Sequence, residues 1–599
     1  MPEPKGGQVD RSDPITAELL ARDRPTWITL MLVVLAGVAL GLRLYHLDHE
    51  SLFMDELRQV SYYPASIGRI IQLAATQQQP PLDYLLGHFV SLLSYSDFSV
   101  RLPAALFGSG SVVLITVLLL PATNPIVAFS TGLIAALLPF NLYFSQYARP
   151  YAIAVFFMLL TVLFLDRVIR ERGRLFLNLF LLFVSALLFL FSRSYPPPVV
   201  VGVLMTILGF QLFSRRGANG ATRSRVLFAM AALGAVVATY IPVMRIIMAT
   251  GQRYAPRSTL SLIEIITNGW GRFAWRPLWE AYLTQTEPLG FLLLPTLAMS
   301  AWFMLSSRQP RNFALWIVTL LLPLTAISDA YVFPAMSDYP YRTPYPIYIL
   351  PYCLILAAAG AYLLWHRARL VRILLVAWAL CCLVLSSQAA VDFRHTRKHE
   401  DWKHLIHFLE KTAGPEQLLI FDAIAPPGAW EPAFYGFPRY YHGASSMVPI
   451  REILQVAKNL RQMSLEPVAI LFVYRNIYLT SASPYPIMPA IGGDEGRLDS
   501  VSADPELVTQ SFTSFLTVRL KSPSGQCAAD TLRLFGLIEA RLKSSSSTID
   551  LQLSAGALAF ALGHVELAER YLTHAVELAP VGHEKTNTAN AAAGIRNGQ

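Results

Sequence analysis

Long apolar runs separated by short clusters of charge set the pattern of this chain. A helix that crosses a bilayer needs about 20 mostly apolar residues. Runs approaching that length lie near Trp27–Leu44, Leu102–Leu120, Pro125–Tyr143, Tyr151–Val168, Leu175–Phe191, Pro198–Phe213, Val226–Met248, Leu289–Leu305, Phe313–Phe333, Tyr345–Trp365 and Val371–Gln388. They predict a polytopic α-helical membrane protein with about 11 transmembrane helices. The first run follows Arg22 and Arg24 and lacks a small-residue cleavage site, so it reads as an uncleaved span. Pro81–Tyr95 is also apolar, but it is short and interrupted by Asp83 and His88. That pattern predicts a helix lying in the outer interface.

Charge then orients the spans. Arg167, Arg170, Arg172 and Arg174 form one basic cluster, and Arg215, Arg216, Arg223 and Arg225 another. Arg308 with Arg311, then Arg367, Arg369 and Arg372, form two more. Basic loops stay on the cytoplasmic side, and eleven spans place all four there with the N-terminus. The odd number leaves everything after about Asp392 outside. The expected organisation is a cytoplasmic tail over 1–26, a membrane domain over 27–391 with an outer loop at 45–100, and an extracytoplasmic α/β domain over 392–545. A helical hairpin over 546–583 and a disordered tail over 584–599 complete it.

Composition narrows the class. Of 599 residues, 54% are hydrophobic and 15% charged, with a mean hydropathy of +0.44. Soluble domains carry about 25% charge, which excludes a wholly soluble chain, and the apolar content excludes disorder for most of the length. The net charge of +9 lies between apolar runs, a placement that argues against nucleic acid as its partner. Cys353, Cys381 and Cys382 sit in apolar runs and Cys527 stands alone, so no disulfide framework is indicated.

Beyond Gln388 the pattern changes. A helical period runs from Asp401-Trp402 to about Glu410, and Leu418–Phe421, Val468–Val473 and Phe515–Leu520 read as strands. His395, His399, His404 and His407 lack a completing carboxylate or cysteine set, which favours a solvated helix. Gly556, Gly563, Ala568, Ala575 and Pro580 fall at tetratricopeptide spacing, with a plain amphipathic hairpin as the alternative.

The outer loops hold the candidate chemistry. Met54-Asp55-Glu56-Leu57-Arg58 follows the first span, and Gln79-Pro80-Pro81-Leu82-Asp83-Tyr84 lies further along the same loop. Adjacent carboxylates beside a membrane must be solvated, paired or useful. Asp55 reads either as the N-cap of a helix starting at Glu56 or as a general base that takes a proton from an acceptor hydroxyl. Gln146, Arg149 and Tyr151 fall between two spans on the same side, with Arg193 and Tyr195 after another, and Asp338, Tyr341 and Arg342 before a late one. Outer arginines oppose the positive-inside bias. Each reads as an interfacial snorkeller or as part of a pocket for an anion, since guanidinium forks match phosphate.

These segments resemble the GT-C membrane glycosyltransferases, in the bacterial branch related to protein O-mannosyltransferases and the lipid A aminoarabinose transferase. The resemblance rests on Asp55-Glu56, Pro80-Pro81-Leu82 before Tyr84, Arg101-Leu102-Pro103-Ala104-Ala105-Leu106-Phe107-Gly108, Ser145-Gln146-Tyr147-Ala148-Arg149-Pro150-Tyr151-Ala152 and the Arg342 segment. It implies a GT-C fold and transfer of a sugar from a polyprenyl-phosphate donor to a lipid, glycan or protein acceptor. It also implies a bacterial inner membrane, with Asp55 as catalytic base, Glu56 and Arg58 as neighbouring site positions and Arg342 at the lipid phosphate. Gln79, Tyr147 and Thr343 depart from the family pattern, where Lys or His, Glu, and Tyr often stand. No cofactor is assigned; a divalent metal at Asp55, Glu56 or Asp338 stays open. The competing classes are a transporter or flippase, which predicts ionisable residues deep in the spans, and a non-catalytic assembly protein of the same fold.

Overall fold

The computed structural model describes residues 26–170, 174–214, 220–250, 350–365, 369–395 and 402–412, together with shorter pieces between and after them. In chain order the helices are α1 (Thr26–Leu44), α2 (Met54–Val60), α3 (Ile67–Thr76), α4 (Leu82–Ser91), α5 (Asp97–Leu119), α6 (Pro125–Leu137), α7 (Pro139–Ser145) and α8 (Tyr151–Arg170). They continue as α9 (Leu175–Ser192), α10 (Pro197–Ser214), α11 (Gly220–Thr250), α12 (Leu350–Trp365), α13 (Arg369–His395), α14 (Trp402–Thr412) and α15 (Val565–Leu578). Strands are β1 (Leu418–Phe421), β2 (Ser446–Pro449), β3 (Ala469–Val473), β4 (Val508–Ser511) and β5 (Leu516–Lys521). Contacts divide the chain into two compact units, one of Met1–Leu47 with Tyr62–Arg397 and one of Asp48–Ser61 with Lys398–Gln599. Each is described by itself.

The first unit is a helical membrane bundle. Among the described residues, six helices (α1, α5, α8, α9, α11 and α13) are long and apolar enough to span, or seven with α6 and α7 taken together. The expected runs at 289–305 and 313–333 lie mostly outside the described residues. In α5 and α8, 67% and 78% of the apolar window is enclosed, against 17% in α1 and 11% in α13. A helix apolar on all sides belongs at the centre of a bundle, and α8 does pack on α5, α9 and α11. Leu30, Val33, Phe176, Phe180, Leu370 and Leu374 point outward as exposed side chains. In water such a surface would drive association; facing acyl chains it costs nothing.

The run at 125–143, expected as one span, is two helices bent by 64°. The cause is local. Pro139 disfavours helical backbone at the preceding residue, and Leu138 accordingly adopts φ −58° and ψ 120°. Asn124 caps the start of α6 by accepting a hydrogen bond from Val127 N at 2.8 Å.

The segment at 81–95 does not cross: α4 has ten residues, about 15 Å of helix against a hydrocarbon core of about 30 Å. It pairs with α3 over Ile70, Ala74 and Tyr84. Tyr63 lies across Gly87 so closely that a Cβ there would fall 2.1 Å from its ring. This short pair rests on the spanning helices, α3 on α11 and α4 on α5 and α9.

The second unit carries a five-stranded mixed sheet of order β2-β1-β3-β5-β4. β1 runs parallel to β2 and β3, whereas β5 is antiparallel to β3 and β4. Helix α14 is amphipathic: Trp402, Leu405, Ile406 and Leu409 are buried while His404 and His407 are exposed. Of the expected C-terminal hairpin only α15 is described, with Ala568 and Leu572 buried one turn apart.

Candidate functional site

The Asp55-Glu56 segment forms α2, and its start differs from the capping alternative. Phe53 occupies the N-cap with extended backbone, which makes Asp55 the second helical residue. The cap is instead supplied by Glu56, whose Oε2 accepts the Phe53 N–H at 2.8 Å. That is the back-reaching half of a capping box. Its geometry requires the acid three residues after the cap, so Glu56 fits and Asp55 does not. Glu56 is fully buried, whereas Asp55 and Arg58 remain half-buried. The arrangement leaves Asp55 unspent on capping.

The residues before α2 are tied to the C-terminal part of the same unit. Leu52 N donates to the Tyr440 hydroxyl at 2.7 Å. Lys403 N, in the first turn of α14, donates to Ser51 Oγ at 3.0 Å, and the Lys403 ammonium donates to the Asp48 carbonyl. Leu52 and Trp402 are buried beside these bonds.

In the membrane unit, arginines stand at or near the ends of α1, α5, α8 and α9. Arg193 does not snorkel. It is 5% exposed, its guanidinium carbon lies 4.0 Å from the Tyr151 ring centroid, and Nη2 donates to the Tyr151 hydroxyl at 3.3 Å. Desolvation strengthens this cation–π contact. Tyr151 continues a stack through Tyr147 to Tyr143, with centroid spacings of 6.1 and 5.3 Å. Gln146 turns its amide toward α1, donating to the carbonyls of Arg43 at 2.9 Å and Tyr45 at 3.2 Å. Carbonyls at a helix end have no intrahelical partner, and Gln146 supplies one. Arg149 is half-buried.

Two further arginines carried little signal in the sequence. Arg101, inside the resemblance segment at 101–108, is buried and donates through Nη1 to the Leu47 carbonyl at 3.0 Å. Arg43, the single cation in the last turn of α1, is fully buried. Nη1 donates to the Ala39 carbonyl at 3.0 Å, while Nε and Nη2 meet no hydrogen-bond partner among the described residues. Gly108 makes room for it: a Cβ there would fall 3.2 Å from Arg43 Nε and 2.1 Å from Ser145 Oγ. A buried guanidinium with open donors is expensive and gains from any anion brought to it. The available sequence clue is an arginine at the end of an otherwise apolar span.

The other expected site residues are distributed as follows. Asp83 and Tyr84 are buried in α4, with Tyr84 stacked on Tyr62 at 6.3 Å. Gln79 donates its backbone N–H to Ala74 O at 3.0 Å and presents a buried Oε1 with no hydrogen-bond partner among the described residues. Tyr341, Arg342 and Asp338 lie outside the described residues. Among the described residues no cluster of three His, Cys, Asp or Glu side chains is placed to hold a metal ion; Glu56, a candidate ligand, commits one oxygen to its cap.

No protein-family model matches the sequence, and no curated protein matches it. Among solved structures the chain is similar to ArnT from Cupriavidus metallidurans in the apo state, with 11% identity, a TM-score of 0.47 and coverage of 83% of this chain and 99% of that one. It is similar to the Archaeoglobus fulgidus oligosaccharyltransferase in complex with Zn and sulfate, with 11% identity, a TM-score of 0.43 and coverage of 92% and 86%. A third similarity is to the S. cerevisiae protein O-mannosyltransferase Pmt1–Pmt2 complex bound to the sugar donor, with 17% identity and a TM-score of 0.33. There the match covers 39% of this chain and 36% of the mannosyltransferase chain, little more than a third of its length. At these identities the likeness concerns the fold alone.

Proposed function

We propose that this protein is a membrane glycosyltransferase that moves a sugar from a polyprenyl-phosphate donor to a lipid, glycan or protein acceptor. The reaction takes place on the outer face of a bacterial inner membrane, with the C-terminal domain periplasmic. The observation that carries this reading is the burial of three guanidinium groups, Arg43, Arg101 and Arg193, near the ends of apolar helices. Intramembrane charge is costly and marks a ligand path or site, and arginine suits phosphate. The motif resemblance supplies the sugar and the acceptor classes.

The chemistry is a single displacement. The Asp55 carboxylate takes the proton of an acceptor hydroxyl, and that oxygen forms the new bond to the anomeric carbon. The bond from anomeric carbon to phosphate oxygen breaks, and its electron pair leaves on the polyprenyl phosphate. Arg58, Arg149, Arg193 and Arg342 stabilise the departing charge. Attack opposite the leaving group inverts the anomeric centre. Gln79, Asp83, Tyr84, Gln146, Tyr151 and Tyr341 serve the donor and acceptor around this centre, and Glu56 fixes the start of the helix that bears the base.

Mass spectrometry of lipid co-purified with the full-length protein tests the donor: a polyprenyl phosphate or its glycoside is expected, and another ligand class sinks the reading. Asp55→Asn should lower transfer by about 10²–10⁴-fold while the co-purified lipid is retained. Normal turnover in that variant removes Asp55 as the base.

A further inference from the structure

The strip that bears Asp55 and the helix that follows the last span are far apart in sequence, yet they make one hydrogen-bonded structure. Leu52 and Tyr440 are separated by 388 positions, and Ser51 and Lys403 by 352. Their bonds fall immediately before the N-cap of α2, at Ser51 and Leu52, where the direction of the helix is set. Helix α2 has only seven residues. A helix so short has no stability of its own in water, so its orientation comes from what it packs against. Glu56, Leu57, Gln59 and Val60 are buried, while Asp55 and Arg58 keep partial exposure. Residues three apart share a helix face; the packing therefore turns the Asp55–Arg58 face outward.

We propose that Tyr440 and the Ser51–Lys403 link are positioning elements for the reaction, by which the C-terminal unit aims the carboxylate of Asp55. This rests on the reading of Asp55 as general base. Tyr440 and Ser51 touch no substrate in this proposal. They act through the backbone of Ser51–Phe53, which they fix relative to α14. A base displaced by about 1 Å loses much of its effectiveness; Arg58 moves with Asp55, but Arg149, Arg193 and Arg342 lie outside this strip, so most of the donor affinity is retained.

The test uses the full-length protein in lipid nanodiscs, as wild type, Tyr440→Phe and Ser51→Ala. Tyr440→Phe keeps the ring and removes only the acceptor hydroxyl, which preserves the surrounding packing. Hydrogen–deuterium exchange of the peptide covering 48–61 is read beside hydrolytic release of free polyprenyl phosphate from polyprenyl-phosphate mannose and polyprenyl-phosphate arabinose, water taking the place of the acceptor hydroxyl and the free sugar being the second product. Each variant should raise exchange in 48–61 by about fivefold, leave exchange in 62–91 unchanged, and lower kcat several-fold with donor KM within twofold of wild type. Unchanged exchange, or raised exchange with unchanged kcat, overturns the proposal; so does a rise in donor KM that accounts for the whole loss. If the wild type releases nothing from either probe while exchange responds as stated, the tie between the strip and the C-terminal unit is upheld and the transfer reading falls with that donor class.

Discussion

At Gly108 a single hydrogen in place of a methyl lets α5 approach both Ser145 and Arg43. Gly108→Ala would drive a methyl to 2.1 Å from Ser145 Oγ. Overpacking of this kind costs about 1–3 kcal/mol, so a lower midpoint in thermal unfolding in detergent is expected; an unshifted midpoint would show that this contact relaxes freely. Arg193 shows the same dependence on a neighbour, since its charge lies on the Tyr151 ring rather than in water. Lysine keeps the charge but not the flat stacking surface. Arg193→Lys should therefore weaken donor binding about tenfold, measured as retention of polyprenyl phosphate. Equal retention would separate the planar stack from the phosphate role.

Between elements, side chains that hydrogen-bond to backbone groups tie the bundle together. Asp166 near the end of α8 accepts the Ala314 N–H through Oδ1 at 2.9 Å and lies 3.8 Å from Arg170 through Oδ2. The hydrogen bond to the amide joins positions 148 residues apart. The ion pair is partly exposed and adds little. Asp166→Ala should cost about 1–3 kcal/mol, and Arg170→Ala less than about 1 kcal/mol, in matched unfolding measurements. The reverse order would make the ion pair the dominant tie. Within α6, Asn124→Ala removes a cap worth about 1 kcal/mol, a loss the same assay resolves.

For the molecule as a whole, an apolar bundle with buried arginines near the ends of its helices is joined to a mixed sheet through the chain at Leu47–Asp48, Ser61–Tyr62 and Arg397–Lys398. The span reading places the α4 end and residue 599 outside and the basic segment 171–173 inside. A cysteine introduced at Leu93, which is 89% exposed, should label from the outer side of intact cells together with a tag after residue 599. A cysteine at Arg172 should label only after permeabilisation. Labelling of residue 599 from inside would overturn the odd number of spans.

The apolar runs, the short α4 and the strands beginning near Leu418, Ala469 and Leu516 are written in local sequence, because span length and side-chain period are properties of neighbouring residues. The Asp55-Glu56 pair was visible in the same way, as was the likeness of its segment to a glycosyltransferase motif. Which of the two acids caps α2 depended on backbone geometry that composition does not reveal. The bend at Leu138 had a local cause in Pro139, yet an apolar run hides it. Tertiary structure alone decided that Arg193 rests on Tyr151, that Arg43 is enclosed beside Gly108, and that Ser51–Val60 belongs with Tyr440 and α14. Each of those facts joins positions from 42 to 388 residues apart. Such contacts are chosen by how helices and strands fill space together, and no periodicity along the chain records that choice.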